Sequence, residues 1–167
     1  MLTIRGYEER DWPGVWNIIA PEIRGGKTYA IPTDITETDA HNLWIETPEA
    51  AFVAEDAHHK ILGTYFIKPN YPGPGSHVCN CGYIVAAHAR GRGVAAQMCD
   101  HSQQEAVARG YHAMQYNLVV STNEGAIRLW KKHGFEIAGR LPEAFRDPEY
   151  GFVDAFIMYK LLDKVNI

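Results

Sequence analysis

Three cysteines in 167 residues are too few, and oddly numbered, for a disulfide framework, so free thiols are expected. No apolar run approaches the roughly 20 residues that a membrane-spanning helix needs, which predicts a chain that does not cross a bilayer. The opening stretch MLTIRGYEERDW is charged within its first ten residues and carries no apolar signal core. A soluble cytoplasmic protein is the expectation. Neither sign of charge dominates: 16 Lys and Arg against 20 Asp and Glu give a net −4. No long basic run could track a nucleic-acid backbone, so nucleic acid and membrane are excluded as expected partners and any anion must be bound locally. There are no internal repeats and no low-complexity tract, hence no solenoid and no linker.

What is present is a globular composition, 46% hydrophobic and 11% aromatic. At this length one core can form and two cannot, so a single domain is expected over residues 1–162, with a short C-terminal tail at 163–167. Residues 2–7 read as a strand. Asp11 then reads as the cap of a helix that tolerates Pro13 in its first turn and turns Val15, Ile18 and Ile19 inward, before PEIRGGKTYAIPTD breaks it. A short helix at 39–46 precedes AFVAED and KILGTYFIK, two strands of a hairpin. PNYPGPG ends the second, and HVCNCGYIVAA resumes as a strand. From Gly93 the apolar residues Val94, Ala95, Met98, Cys99 and Ala106 recur at helical spacing up to Arg109-Gly110. After a strand HAMQYNLVV, the segment STNE has the S-x-x-E spacing of a capping box and opens a helix over 126–133. FEIAGR and FVDAFIMYKLL close the chain as strands. This order predicts an α+β fold with a mixed, mostly antiparallel sheet.

His77, Cys79 and Cys81 read H-x-C-x-C and share one face of an extended strand. Alternate strand residues stand about 6.6 Å apart, too wide for two thiolates on one zinc, so small buried side chains rather than a metal site are expected.

The segment HARGRGVAAQM, 88–98, places two glycines and two arginines at a strand-to-helix joint. Glycines there allow close approach of a ligand to the backbone, and the unpaired N–H groups of the first helical turn form an anion site. Arg90 and Arg92 beside it suit a pyrophosphate. Gly91-Arg92-Gly93-Val94-Ala95-Ala96 also satisfies the dinucleotide fingerprint G-x-G-x-x-A, which requires an acidic residue about 20 positions on. The strand that follows has none before Glu124, and several antiparallel-type strands precede the motif. The dinucleotide reading is weakened on both counts.

Arg90-x-x-Gly93-x-Ala95 resembles Q/R-x-x-G-x-G/A, the acyl-CoA pyrophosphate loop of the GNAT superfamily of N-acetyltransferases. NEGAIRLWKKHGF, 123–135, resembles that superfamily's second signature, N-x-x-A-x-x-L/F-Y/F-x-x-x-G-F, at the expected distance. More narrowly, GTYFIKPNYPGPGSHVCNCGYIV, ARGRGVA and YNLVVSTN resemble the fungal azetidine-2-carboxylate (proline-analogue) N-acetyltransferases over residues 60–160. The resemblance implies a sheet of about seven strands with flanking helices and a V-shaped split between the strand ending at Val85 and the strand carrying Asn117. It implies acetyl-CoA as co-substrate, with backbone groups near Val85 pairing the pantetheine arm. The amides of Gly91, Arg92, Gly93, Val94 and Ala95, with Arg90, would hold the pyrophosphate, and Asn123 would bond the arm. An Asn at that position can also cap the helix. The resemblance leaves a homodimer open.

Acetyl transfer from a thioester to an amine needs an uncharged nucleophile, a donor to the carbonyl oxygen and a proton path. Where the superfamily commonly carries a tyrosine acid, this chain has Trp130, whose indole N–H is far too weak an acid, so Trp130 is expected to pack. Asn80 and Asn117 interrupt otherwise apolar strands and are expected to be buried amides in need of partners. They could position an amine or bind a carboxylate. In the proline-analogue acetyltransferases asparagines at these positions line the substrate pocket, which makes Asn80 and Asn117 the catalytic candidates. Glu22, Tyr29, His77 and Tyr83 are further candidates for proton handling. The expected function is N-acetylation of a small-molecule amine, such as a proline analogue or other amino acid, by direct attack in a ternary complex, with detoxification of such analogues as the implied role. The loops at 25–26 and 69–75 are placed to close a small pocket. A protein or peptide amine as acceptor, and a non-catalytic acyl-CoA sensor, are the alternatives.

Overall fold

Residues 1–162 are described by a computed structural model. The tail at 163–167 lies outside the described residues. In chain order the elements are β1 (Thr3–Gly6), α1 (Trp12–Gly25), α2 (Glu37–His41), β2 (Ala50–Glu55), β3 (Ile61–Pro69), β4 (Val78–Val85), α3 (Val94–Ala108), β5 (Ala113–Val120), α4 (Glu124–Lys132), β6 (Glu136–Asp147) and β7 (Gly151–Leu161). The strands form one sheet in the order β1-β2-β3-β4-β5-β7-β6. Every neighbouring pair is antiparallel except β4 and β5, which are parallel. This is the expected α+β architecture with seven strands.

Helices cover both faces at the centre, which is why β3 reads as a nearly continuous apolar run and is buried from Leu62 to Ile67. One face carries Tyr65 and Tyr83 toward α3, where His101 and Ser102 bond their hydroxyls. The other carries Thr64 and Phe66 toward Trp44, in the π-helical turn Asn42–Glu46 that continues α2. β6, at the edge, is mostly exposed.

Three local expectations are corrected. Asp11 does not cap α1: its carboxylate accepts from Arg5 Nη1 and Nη2 at 2.7 and 2.8 Å and from the Glu8 N–H at 2.8 Å. Arg5 also reaches Glu55 at 2.8 Å, so β1, β2 and the entry to α1 are tied by one guanidinium. The helix does not break at Pro21 but runs on to Gly25. A proline inside a helix costs about 3 kcal/mol, and burial of Ile23, one turn past the last of the apolar residues Val15, Ile18 and Ile19, offsets it. The cap of α4 is Asn123, whose Oδ1 accepts the Ala126 N–H at 3.3 Å, and not Ser121, which lies before the helix and whose N–H is held by the Asp154 carbonyl at 2.9 Å.

Candidate active site

The sheet comes apart at the one parallel joint among the described residues. β4 and β5 pair at Val78–Ala113 and Cys79–Met114 and at no later position. One side-chain bond extends the joint, from Asn80 Nδ2 to the Gln115 carbonyl at 2.9 Å, and beyond it the two strands diverge. Ala86 N–H donates to the Leu62 carbonyl and Asn70 N–H to that of Val78, so even-numbered residues of β4 carry the ladder to β3. The backbone groups of the odd residues Cys81, Tyr83 and Val85 therefore turn toward β5, where no strand receives them. A cavity of about 670 Å³ fills the opening. Among the predicted residues Asn80, Val85, Arg90, Gly91, Ala95, Asn117, Asn123 and Trp130 line it, whereas Arg92, Gly93 and Val94 do not.

At its outer end lies the glycine loop. Gly91 and Gly93 have φ of +73° and +78°, the left-handed region that glycine reaches without strain. Gly93 sits at the N-cap of α3 with its carbonyl accepting from Gln97 N–H, which leaves the N–H groups of Val94, Ala95 and Ala96 without intrahelical acceptors. Arg90 is exposed and forms an ion pair with Glu22 of α1. Glu22 in turn accepts from the Thr28 hydroxyl at 2.7 Å. Arg92 is exposed, with no ion pair to the described residues.

On the α3 and α4 side the walls of the split are closed and aromatic. The Tyr83 hydroxyl bonds Ser102 Oγ at 2.7 Å and the Tyr116 hydroxyl at 3.0 Å. Trp130 packs on both rings, at 5.0 Å from Tyr83 and 4.8 Å from Tyr116 between centroids, and Phe135 stacks on Tyr116 at 4.4 Å. Burial pushes both tyrosines well above their ordinary pKa, with nearby Cys81 and Cys99 adding to the effect. The Cys99 thiol is pushed up by burial to about 11. Cys79, Cys81 and Cys99 are all buried free thiols, and among the described residues no group of three His, Cys, Asp or Glu could hold a metal. His77 lies away from the cavity beside His112, 6.2 Å between rings.

On the opposite face the walls are polar and open. Asn80 is half-buried. Asn117 is exposed rather than buried, because two residues, Asn117 and Leu118, fall between the Tyr116–Met158 and Val119–Phe156 pairs and bulge the strand at the cavity mouth. Asn117 Nδ2 donates to Asn70 Oδ1 at 2.7 Å, and Gln115 Nε2 to Asn117 Oδ1 at 3.0 Å. Lys68 stands opposite Asn80 in the register, its ammonium 5.4 Å over the Phe66 ring, and both residues line the cavity. Lys68, Phe66, Asn70 and Trp44 are site residues that the motif reading misses. Strand alternation was the available signal: Phe66 and Lys68 share the parity that puts them beside Asn80. Of the further candidates, Glu22, Tyr29 and Tyr83 line the cavity.

Residues 9–135 match the acetyltransferase (GNAT) family. N-acetyltransferase aca1 of Schizosaccharomyces pombe is 32% identical over 152 residues, spanning 81% of this chain and 73% of that protein. A GCN5-related N-acetyltransferase from Kribbella flavida superposes with a TM-score of 0.92 at 38% identity, over 96% of this chain and 98% of its own. The protein yncA of Salmonella typhimurium, solved with its cofactor acetyl-CoA, has a TM-score of 0.81 at 18% identity over 98% and 95% of the two chains. At that identity the likeness is one of fold.

Proposed function

Since this chain belongs to the acetyltransferase (GNAT) family and is an acyl-CoA-dependent N-acetyltransferase, we propose that it moves an acetyl group from acetyl-CoA to the amine of a small molecule, an amino acid or a proline analogue among them. One observation carries the reading. A single cavity joins the amides before α3 to the Asn80–Asn117 wall and has along its side the edge of β4 that no strand pairs.

The residues present fit such a cofactor. Backbone N–H groups from Gly91 to Ala95 offer donors to a pyrophosphate at the positive end of α3, and Arg90 would exchange Glu22 for it. Val85 presents strand-edge groups to an extended amide-bearing arm, and Asn123, beside its capping bond, faces the same space. Arg92 adds charge outside the cavity wall. Bound there, acetyl-CoA supplies an activated thioester carbonyl. The amine nitrogen bonds to that carbonyl carbon, the carbon–sulfur bond breaks, and the products are an amide, the CoA thiolate and one proton. Asn80 and Asn117 act by holding the acceptor in line, since amides are not bases. Lys68 and Phe66 bound the same space and suit an acceptor with an anionic end and an apolar body.

Two measurements test the proposal. Acetyl-CoA at a hundredfold excess over Kd should stabilise the fold by about 2.7 kcal/mol in a thermal melt, and NAD should not. Release of CoA thiol should then be followed across amino acids, proline analogues and an N-terminal peptide amine. Equal stabilisation by NAD sinks the cofactor assignment, and turnover with the peptide alone sinks the small-molecule acceptor.

A further inference from the structure

A free amino acid and the first residue of a peptide present the same amine and differ beside it: one carries a carboxylate on the neighbouring carbon, the other a neutral amide. The wall opposite α3 holds a group that can read this difference. Lys68 lines the cavity, is half-buried, and enters no ion pair among the described residues. The one carboxylate on the same lining, Glu22, is held by Arg90 at the cofactor end. A half-buried ammonium with no anion beside it carries a desolvation cost that an anionic ligand relieves. The neighbouring Asn70 Nδ2, buried without a partner, makes the unspent groups of this wall donors as well.

The place of that charge is fixed by its neighbours. Pro69 follows Lys68 and keeps its backbone extended, in register with Asn80 across the β3–β4 ladder. Phe66, two residues back on the same face, pairs with Gly82, and its ring covers Gly82 so closely that a Cβ there would stand 2.6 Å from Phe66 Cε1. Trp44 braces the ring edge-on at 4.8 Å between centroids. The Lys68 ammonium sits 5.4 Å over this anchored ring. It therefore leans from the level of Asn80, where a side chain makes the last link between β4 and β5, toward the level of Gly82, inside the split.

Resting on the small-molecule reading above, we propose that Lys68 is the residue that selects a free α-amino acid over a peptide N-terminus or a simple amine, its ammonium receiving the acceptor's carboxylate while the Phe66 ring carries the apolar body. The carboxylate and the attacking nitrogen share one carbon, so a hold on the first aims the second. With the amides of Asn80 and Asn117 at the nitrogen, the acceptor is held at two points. A peptide brings a neutral carbonyl to Lys68, and the ammonium then loses water on binding without gaining a counter-charge. Lys68 acts on specificity alone: no bond to it forms or breaks in the transfer.

The test pairs azetidine-2-carboxylate and a panel of free α-amino acids each with its own carboxamide, and follows release of CoA thiol. In Lys68→Met, which keeps the stem over Phe66 and removes the charge, kcat/KM for the best acid should fall by about ten- to a hundredfold, mostly through KM, while that for its carboxamide should change by less than about threefold. Each substrate is compared with itself in the two enzymes, so the different basicities of the two amines cancel. Lys68→Arg should recover part of the loss on the acid. Titration of the same acid into the chain loaded with CoA, which has no acetyl group to give, should show the same loss of affinity, with acetyl-CoA binding within about twofold of wild type. The inference is overturned if Lys68→Met lowers acid and carboxamide by the same factor, as a merely structural lysine would, or leaves both unchanged. A wild type that acetylates neither member of any pair is a different outcome, which removes the proposed acceptor and this inference with it.

Discussion

The two faces of the sheet at the split are built to opposite ends. Toward α3 and α4, Tyr83, Tyr116, Ser102 and Trp130 form a closed wall in which both tyrosine hydroxyls have partners and the rings pack within 6 Å of one another. Toward α2, the amides of Asn70, Asn117 and Gln115 hold one another in a chain, Asn70 Nδ2 is buried without a partner, and Lys68 has only the Phe66 ring beneath it. A satisfied network stabilises and fixes geometry. An unsatisfied one carries the desolvation cost of its free groups until something binds. Under the function proposed above, the chemistry is assigned to the looser wall, and the closed one is the support against which it is held.

The comparison is broken most sharply at the asparagines. Losing one side of a hydrogen-bonded contact to a charged ligand costs about 1.5–3 kcal/mol, so Asn80→Ala or Asn117→Ala should lower kcat/KM for the best amine by roughly ten- to a hundredfold. Acetyl-CoA affinity should scarcely move. The pair should differ in stability: Asn80 bridges β4 to the Gln115 carbonyl and its removal should also cost about 1 kcal/mol in denaturant unfolding, whereas exposed Asn117 should cost little. Folded and fully active variants of both would make this wall structural as well.

The next effect in size tests the cofactor end, which both faces share. Gly93→Val places a branched side chain at φ +78°, a conformation that costs an L-residue about 1–2 kcal/mol. Space is not the obstacle, since the nearest atom to a Cβ there is Gln97 Nε2 at 4.0 Å. The fold should therefore persist with a lowered Tm, while acetyl-CoA affinity falls about tenfold, or 1.4 kcal/mol, as the loop amides lose their aim. Calorimetric titration decides it, and an unchanged Kd in the folded variant moves the pyrophosphate elsewhere.

The asymmetry of the two faces was only partly legible in the sequence. Periodicity was enough for the seven strands and the glycine-bearing segment for the loop at 90–95, because those features are local, whereas the split between the strand ending at Val85 and the strand carrying Asn117 came from the family resemblance, and its start after Cys79 only from the structure. The closed wall was half visible: Trp130 was expected to pack, but its partners Tyr83 and Tyr116 come from two strands that meet only in the fold. Asn117 was misjudged as buried since a bulge is set by how β5 meets β7, which alternation along one strand cannot report. Tyr29 stood among candidates without rank. It lies in an aperiodic segment, GGKTYAIPTD, and its partner is 54 positions away. Helix ends failed for a related reason. Asp11 and Ser121 have the right chemistry for caps, but Arg5 claims the Asp11 carboxylate, and Ser121, its backbone N–H tied to the Asp154 carbonyl, stands two residues before the position where Asn123 caps the helix.

The smallest effect is expected on the closed wall, where it sharpens the contrast. Trp130→Phe keeps an aromatic ring against Tyr83 and Tyr116 and removes only the indole N–H and some volume. If Trp130 supports and does not react, kcat should stay within a few-fold of wild type, with a loss of stability of about 1–3 kcal/mol from the smaller ring. The pH dependence should be unaltered too. Burial holds Tyr83 and Tyr116 in the protonated form well past the ordinary tyrosine value. Neither can therefore contribute a falling limb to kcat/KM between about pH 6 and pH 10, and the rising limb belongs to the amine, which must lose its proton to attack. A falling limb below pH 10 that disappears in Tyr116→Phe, or a hundredfold loss in Trp130→Phe at unchanged stability, would put a reacting group on the wall that the hydrogen bonds show to be complete.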